Sequence, residues 1–442
     1  MKMIRGRFRV ALLMAAAASV LAFTVGARAQ DHNDKDDPHH NDNSWPHATT
    51  GKSPVLAVVG DIACQPGEEV ADEAGNEVCS DPATPPAYTS TSLWQSQEAT
   101  ANQIENMKPD AVALLGDLQY QVGRYSDFEG SFDLTYGAFK FLHRPAPGNH
   151  EFYNEHGETG VAGYGYFSYF NGFQLNPNGT IPMTTISNPC PTPSASCKAA
   201  NPTEELFPQP VPRQDGQAGH FGDAGDGWYS YNLGSWHIIS LNIECYTQPG
   251  GCSETGTWLK SELDWLKKDL EENGARCTAA YWHQPTFSAA DSITQEGTTA
   301  QAFWQLLYEH KADLVLNGHD HLYARYRPLD YSGNYDPKNG IREFIVGTGG
   351  ETLDTVVTTT VTASEATTAN PATNMEDPEG RTNFNAMNVE AATGNFWGVM
   401  ALTLDPNGYK WDFESALELP GAPAGTYSDK GAGTCHGSAN RW

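Results

Sequence analysis

The hydrophobic pattern of the chain alternates between short apolar runs and longer amphipathic stretches. Each apolar run predicts a buried strand. These runs cover residues 54–59, 111–115, 144–147, 277–282, 313–316 and 343–346. The amphipathic stretches have helical spacing and predict helices. They cover residues 92–107, 126–142, 255–272 and 298–310.

Two further segments alternate between apolar and polar residues and predict β-hairpins. One joins residues 228–233 to 236–242 through a turn at Gly234, and the other joins residues 396–404 to 409–413. Strands alternate with helices in much of the chain, whereas hairpins occur only in its second half. This mixture predicts an α/β fold, built as a sandwich with mixed sheets.

The N-terminal residues 1–29 have the pattern of a signal peptide. A basic start is followed by an apolar stretch, and Ala27-Arg28-Ala29 fits a cleavage site. A membrane anchor is the alternative, but the apolar stretch is short for a span. We therefore expect cleavage near Ala29 and secretion, either to the extracellular space or to the periplasm. No other stretch is long and apolar enough to cross a membrane.

The remaining chain divides into a spacer and one large domain. Residues 30–52 are rich in Asp, Asn and His, which predicts a disordered acidic, His-rich spacer more strongly than a metal-scavenging tail. Residues 53–442 form the predicted domain. Two stretches of it, 153–227 and 351–394, are expected to be loop insertions because they are rich in Gly, Pro, Asn, Thr or Ala.

The charge of the chain excludes two classes of partner. The 442 residues carry a net charge of −28, and removal of residues 1–29 takes away five basic and no acidic residues, which makes it −33. Such a surface repels nucleic acid and anionic lipid. An anionic substrate would need local positive charge, which bound cations can supply.

All eight cysteines lie after the predicted signal peptide. An even count in an exported chain predicts disulfides. One arrangement joins the near neighbours 64/79, 190/197 and 245/252, and then Cys277 to Cys435. The alternative is metal binding by cysteine thiolates, which the absence of any CxxC motif disfavours.

Five of the predicted strands end in side chains that can bind metal ions. They are followed by Asp61, by Asp117, by Asn149 with His150, by His283, and by His319 with His321. Any one of these is commonly an ordinary turn or a hydrogen-bonded histidine. Turn chemistry does not require histidine at three of five strand ends. Because α/β sheets usually build their sites at these ends, the pattern predicts a shared metal centre.

In chain order the motifs read GD, GDxxY, GNHE, a strand ending in His, and GHxH. This order resembles the calcineurin-like metallophosphoesterase superfamily, and within it most closely the purple acid phosphatase branch. The resemblance implies a four-layer α/β/β/α sandwich of two mixed sheets flanked by helices. It also implies a hydrolase of phosphate monoesters, with a small-molecule phosphate ester as substrate and a metal-held hydroxide as the attacking group.

The resemblance further implies two metal ions whose ligand sets share Asp117. The first set is Asp61, Asp117, Tyr120 and His321; the second set is Asp117, Asn149, His283 and His319. Two carboxylates and a phenolate favour a hard ion, so we expect Fe(III) in the first set. The amide and imidazoles of the second set suit a divalent ion such as Zn, Mn or Fe.

The expected catalytic residues are Asp117 and His150, with His150 contacting the phosphate and assisting the leaving group. Two features depart from the family pattern. Ala63 stands where most members have a metal-binding histidine, which leaves Tyr120 to complete the first set. No histidine follows within residues 284–309, so the proton donor is open, with His156 and His220 in reserve.

Two other functions remain open at this point. The same centre can serve a phosphodiesterase, which would prefer diesters to monoesters. The fold can also serve as a metal-stabilised binding protein without catalysis. The complete set of predicted ligands and the presence of His150 favour an enzyme.

Overall fold

A computed structural model describes part of the chain. The described residues are 52–66, 69–70, 77–78, 93–153, 162–171, 226–247, 251–253, 255–290, 297–356, 388–418 and 425–437. The predicted signal peptide, nearly all of the predicted spacer and most of both predicted insertions lie outside them.

The elements alternate as the sequence pattern predicts, with additions towards the C-terminus. The strands are β1 (Val55–Val59), β2 (Glu69–Val70), β3 (Glu77–Val78), β4 (Ala111–Leu115), β5 (His143–Ala146), β6 (Tyr229–Leu233), β7 (Trp236–Ser240), β8 (Cys277–Tyr281), β9 (Leu314–Asn317), β10 (Tyr323–Tyr326), β11 (Arg342–Val346), β12 (Val389–Thr393), β13 (Phe396–Asp405), β14 (Gly408–Glu418) and β15 (Ser428–Thr434). The α-helices are α1 (Leu93–Met107), α2 (Tyr125–Asp127), α3 (Asp133–Tyr136), α4 (Asn149–Phe152), α5 (Tyr164–Asn171), α6 (Thr257–Glu272) and α7 (Gly297–Glu309).

Most strands belong to two mixed sheets. The first sheet has the order β15-β14-β13-β1-β4-β5, and the second has the order β12-β10-β11-β9-β8-β7-β6. In the first sheet β1, β4 and β5 are parallel, while β13, β14 and β15 run antiparallel to their neighbours. In the second sheet β7, β8, β9 and β11 are parallel.

Three hydrophobic clusters show that the sheets and helices form four layers. One cluster lies between the sheets and combines side chains of β1 and β4 with side chains of β8 and β9. A second packs α6 and α7 on the outer face of the second sheet. A third packs α1, α5 and the helical residues 125–142 on the outer face of the first sheet. The predicted α/β/β/α sandwich is therefore confirmed.

The carboxyl ends of the parallel strands of both sheets lie at one edge of the sandwich. Backbone hydrogen bonds connect them there. Gly60 N–H, after β1, donates to Val346 O at the end of β11, at 2.9 Å. Gly318 N–H, after β9, donates to His283 O, after β8, at 3.0 Å. The strand ends that carry the predicted ligands thus meet where the two sheets are joined.

Several local features differ from the expected elements. Residues 125–142 form a broken helical stretch, with a π-helical turn at Phe128–Phe132 and a 3₁₀ turn at Gly137–Leu142. Helix α5 lies within the expected insertion 153–227. It is part of the fold and not a surface loop, because its aromatic side chains pack into the core on the outer face of the first sheet. Strands β10, β12 and β15 were not predicted, since each is defined by pairing with distant strands.

The cysteines of the described residues are oxidised. Cys245 is bonded to Cys252 and Cys277 to Cys435, as expected. Cys64 is also disulfide-bonded, while the other three cysteines lie outside the described ranges. Within those ranges no cysteine is free to bind a metal ion. None of the helices described is long and apolar enough to traverse a bilayer.

Candidate metal centre

The backbone is unusual at the ends of the strands that supply the candidate ligands. Asp61, Asp117 and His319 have φ angles of +60°, +48° and +70°. This left-handed conformation is uncommon for residues other than glycine, and such residues cluster at functional sites. Here it turns each side chain back over the strand edge, so that the side chains converge between the two sheets.

The glycines of the motifs allow the strand ends to approach closely. A Cβ atom at Gly148 would lie 2.3 Å from Asp117 Oδ1, and one at Gly318 would lie 2.6 Å from Asp61 Oδ2. Any other residue would therefore push the candidate ligands apart. The glycines in GNHE and GHxH serve this contact between neighbouring strand ends.

The structure brings the side chains of the expected second ligand set together. His283 Nε2 lies 2.9 Å from Asp117 Oδ2, 3.1 Å from Asn149 Oδ1 and 3.3 Å from His319 Nδ1. Asn149 Oδ1 lies 3.2 Å from His319 Nδ1. Asp117 and His283 are fully buried, so these atoms line a small polar cluster shielded from solvent.

The side chains of the expected first set converge beside it. Tyr120 Oη lies 3.0 Å from Asp61 Oδ1, 2.9 Å from His321 Nε2 and 3.3 Å from Asp117 Oδ2. His321 Nε2 lies 3.4 Å from Asp61 Oδ1. The same oxygen of Asp117, Oδ2, therefore faces both sets, while Oδ1 accepts a hydrogen bond from His150 N–H at 2.8 Å.

Three histidines are held by backbone carbonyls in the same tautomer. The Nδ1–H group of His283 donates to Leu115 O, that of His321 to Thr352 O and that of His150 to Gln121 O, at 2.8, 2.6 and 2.6 Å. In each ring Nε2 is then the nitrogen that faces the cluster. This is how hydrogen bonds to the far nitrogen of metal-binding histidines commonly orient them.

A family comparison agrees with this geometry. The family model described as calcineurin-like phosphoesterase matches residues 54–323. The match begins just before β1 and extends past the GHxH motif, so it includes every candidate ligand. The chain belongs to the calcineurin-like phosphoesterase family.

Individual relatives are purple acid phosphatases and related proteins. Purple acid phosphatase 15 of Arabidopsis thaliana is 26% identical over 258 residues, which cover 57% of this chain and 42% of that protein. Acid phosphatase type 7 of Homo sapiens is 32% identical over 133 residues, which cover 26% of this chain and 29% of that protein. The matches thus span less than half the length of these curated relatives.

Among solved structures, the purple acid phosphatase PPD1 from yellow lupin (Lupinus luteus) seeds aligns with a TM-score of 0.46 and 15% identity. The alignment covers 86% of this chain and 54% of that one. PhoD aligns with a TM-score of 0.45 and 11% identity, over 88% of this chain and 72% of that one. Within the family, this calcineurin-like phosphoesterase is similar to the purple acid phosphatase branch.

The electrostatics of the candidate centre depend on its buried charges. Burial alone would lower the pKa of His283, but the Asp117 carboxylate raises it well above the usual range. Burial and the neighbouring charge of His283 lower the pKa of His319 to about 3. Burial opposes the charging of His321, yet Asp61 raises its pKa to about 10.

Tyr120 shows why a cation fits the first set. Burial, followed by the negative charges of Asp117 and Asp61, raises the pKa of Tyr120 well above its usual value. Its phenol ionises only if positive charge is added beside it. The donor chemistry of the cluster is carboxylate, phenol, amide oxygen and imidazole, which are ligands of divalent and trivalent transition metals. The residues present therefore fit a metal pair.

Glu151 and Glu351 are buried carboxylates near the candidate centre that the sequence analysis did not single out. Glu151 accepts backbone hydrogen bonds from Gly148, Asp117, Leu118 and Gln119 at 2.7–3.2 Å, and so ties the GDxxY loop to the GNHE loop. Glu351 follows β11, and its N–H donates to Asp61 O at 3.2 Å. The motif GNHE contains Glu151 and could have indicated its role. Glu351 follows a glycine-rich loop that has no comparable motif.

Proposed function

We propose that this protein is a secreted phosphatase that hydrolyses phosphate monoesters of small molecules at a centre of two metal ions. One observation carries the proposal: Asp117 Oδ2 lies 3.3 Å from Tyr120 Oη and 2.9 Å from His283 Nε2. A single carboxylate oxygen thus faces both candidate ligand sets. Two-metal hydrolases use such shared ligands to hold their ions a few ångströms apart.

The proposed ligands are the two sets that the family resemblance implies. Asp61, Asp117, Tyr120 and His321 would hold Fe(III), because anionic oxygen donors prefer a hard ion. Asp117, Asn149, His283 and His319 would hold Zn, Mn or Fe(II). When bound, the metal pair polarises the phosphoryl oxygens and lowers the pKa of a coordinated water.

His150 is the proposed residue for handling the substrate. Its ring lies between Tyr120 and Tyr153, with ring centroids 4.2 and 4.7 Å away, and its Nδ1–H group is committed to Gln121 O. Its remaining nitrogen, Nε2, lies 3.8 Å from Asp117 Oδ2. A protonated His150 would donate from Nε2 to a phosphoryl oxygen or to the leaving oxygen.

Two observations support secretion. The described disulfides Cys245–Cys252 and Cys277–Cys435 are typical of proteins that fold in an oxidising compartment. The N-terminal sequence has the pattern of a signal peptide. Sequencing of the N-terminus of the exported protein would test cleavage near Ala29.

The test of the function compares a monoester with a diester. The purified protein, reconstituted with Fe and either Zn or Mn, is assayed with p-nitrophenyl phosphate and with bis(p-nitrophenyl) phosphate. We expect two metal ions per chain, a pink or purple colour from the Tyr120 phenolate on Fe(III), and faster turnover of the monoester. Faster turnover of the diester would favour a phosphodiesterase. Two bound metals without turnover of either ester would favour a binding protein.

A further inference from the structure

Glu351 is a buried carboxylate beside the first ligand set. Only 4% of the residue is exposed. Its Oε1 accepts hydrogen bonds from the N–H and the hydroxyl of Thr352, at 3.0 and 3.1 Å. Its Oε2 is buried without a hydrogen-bond partner among the described residues. Such an oxygen is costly to bury unless a nearby positive charge compensates for it.

Backbone hydrogen bonds place Glu351 between Asp61 and the residue that orients His321. Its N–H donates to Asp61 O at 3.2 Å, and its own carbonyl accepts from Trp397 Nε1–H at 2.7 Å. The next residue, Thr352, accepts the Nδ1–H of His321 at 2.6 Å. The backbone of Glu351 is therefore held between a candidate ligand, Asp61, and the residue that orients another, His321.

The charge of Glu351 reaches two of the candidate ligands. It interacts electrostatically with Tyr120 and with His321, in the same sense as the charge of Asp61. No hydrogen bond joins Glu351 Oε2 to a side chain of the first set in the described structure. Its influence on that set is therefore electrostatic.

We propose that Glu351 is an additional carboxylate of the first metal site, a positioning residue that stabilises a highly charged cation there without being one of its direct ligands. The proposal rests on the proposed metal centre. It adds a fourth negative charge next to Asp61, Asp117 and an ionised Tyr120. A site with this balance selects a trivalent ion over a divalent ion, because the Coulomb energy scales with the charge of the ion.

The test compares the binding of Ga(III) and Zn(II) to metal-free protein. Loading of the first site is followed by the ultraviolet difference signal of a tyrosinate, and Tyr120→Phe identifies which part of the signal belongs to that site. Substitution of residues just outside the direct ligands of a metal ion typically changes its affinity by about 10–100-fold. We expect Glu351→Gln to weaken Ga(III) binding by about this factor. Zn(II) binding should weaken only about 5–20-fold, in proportion to its smaller charge.

Glu262→Gln is the matched control. Glu262 is also fully buried, also has an unpartnered Oε2, and accepts a hydrogen bond from Asn242 N–H, but it lies on α6 behind the second sheet. The Glu262→Gln variant should leave the ratio of the Ga(III) affinity to the Zn(II) affinity unchanged. Equal weakening of both ions by Glu351→Gln would indicate a structural defect and overturn the proposal, as would unchanged binding. Wild-type protein that binds neither ion would instead overturn the proposed metal centre itself.

Discussion

Substitution of Asp117 by asparagine tests the shared ligand with the least change in shape. Asp117 Oδ1 accepts the N–H of His150, while Oδ2 faces Tyr120 and His283. An asparagine can keep its oxygen towards His150, but its NH₂ group must then point at both ligand sets. The variant therefore replaces the carboxylate oxygen that faces both sets with a neutral hydrogen-bond donor, which cannot bind a cation.

The magnitude follows from the loss of one negative charge. Two unit charges about 4 Å apart near a protein surface interact by about 4 kcal/mol. This energy corresponds to a change of about a thousandfold in a binding constant. Each cation carries more than one charge and lies closer than this to a ligand oxygen. We therefore expect Asp117→Asn to weaken metal binding at both sites by at least about a thousandfold.

The assay is metal content per chain after dialysis, together with turnover of p-nitrophenyl phosphate. Asp110→Asn is the control. Asp110 lies just before β4, at the end of the strand opposite Asp117, and its carboxylate accepts the N–H of Val55 in β1 at 2.8 Å. We expect Asp110→Asn to retain two metal ions and near wild-type turnover. An Asp117→Asn protein that is folded and retains both ions would refute the shared-ligand reasoning.

Three further predictions concern neighbouring parts of the molecule. His150→Gln should keep both metal ions but lower kcat by about 10²–10⁴-fold, whereas an unchanged kcat would remove His150 from the chemistry. Arg325→Met should cost about 1–3 kcal/mol in urea unfolding, because Arg325 Nε donates to Asp429 Oδ2 at 2.6 Å and joins the two sheets. Burial would raise the pKa of Asp429, but the hydrogen bond from Arg325 lowers it. The stabilisation from the Arg325–Asp429 pair is thus fully present above the pKa of Asp429 in the unfolded chain, which is about 4. It is lost as the pH falls through the lower pKa of Asp429 in the folded protein. The unfolding free energies of the variant and the wild type should therefore converge at low pH. Reduction of Cys277–Cys435, which lie 158 residues apart, should lower stability by about 5 kcal/mol. A loss smaller than about 1 kcal/mol would show that the C-terminal strand is held by pairing alone.

The fold could be predicted from the sequence where the pattern was local. The buried runs before Asp61, Asp117 and His283 each became a parallel strand, because a continuous apolar run is typical of a strand covered on both faces. Strand β15 could not be predicted in this way. Its residues Ser428–Thr434 alternate between exposed and half-buried, and only pairing with β14 makes them a strand.

The residues of the candidate site also differ in whether the sequence alone could predict them. The types of side chain that follow the predicted strands were enough to propose Asp61, Asp117, Asn149, His283, His319 and His321 as a group of candidate ligands. The family resemblance added Tyr120 to this group. Glu351 carries no such local signal, since a single glutamate after a glycine-rich loop is common on protein surfaces.

Only the tertiary structure decided how the group is arranged. It brought Asp117 Oδ2 between Tyr120 and His283, and it directed the Nε2 atoms of the histidines inwards through carbonyls such as Leu115 O. It also buried Glu351 beside the first set. The physical reason is that these contacts join strand ends of two different sheets, and their distances depend on how the sheets pack together. The type of each residue can be read from the sequence, whereas the direction in which a single oxygen atom points depends on the packing of the folded chain.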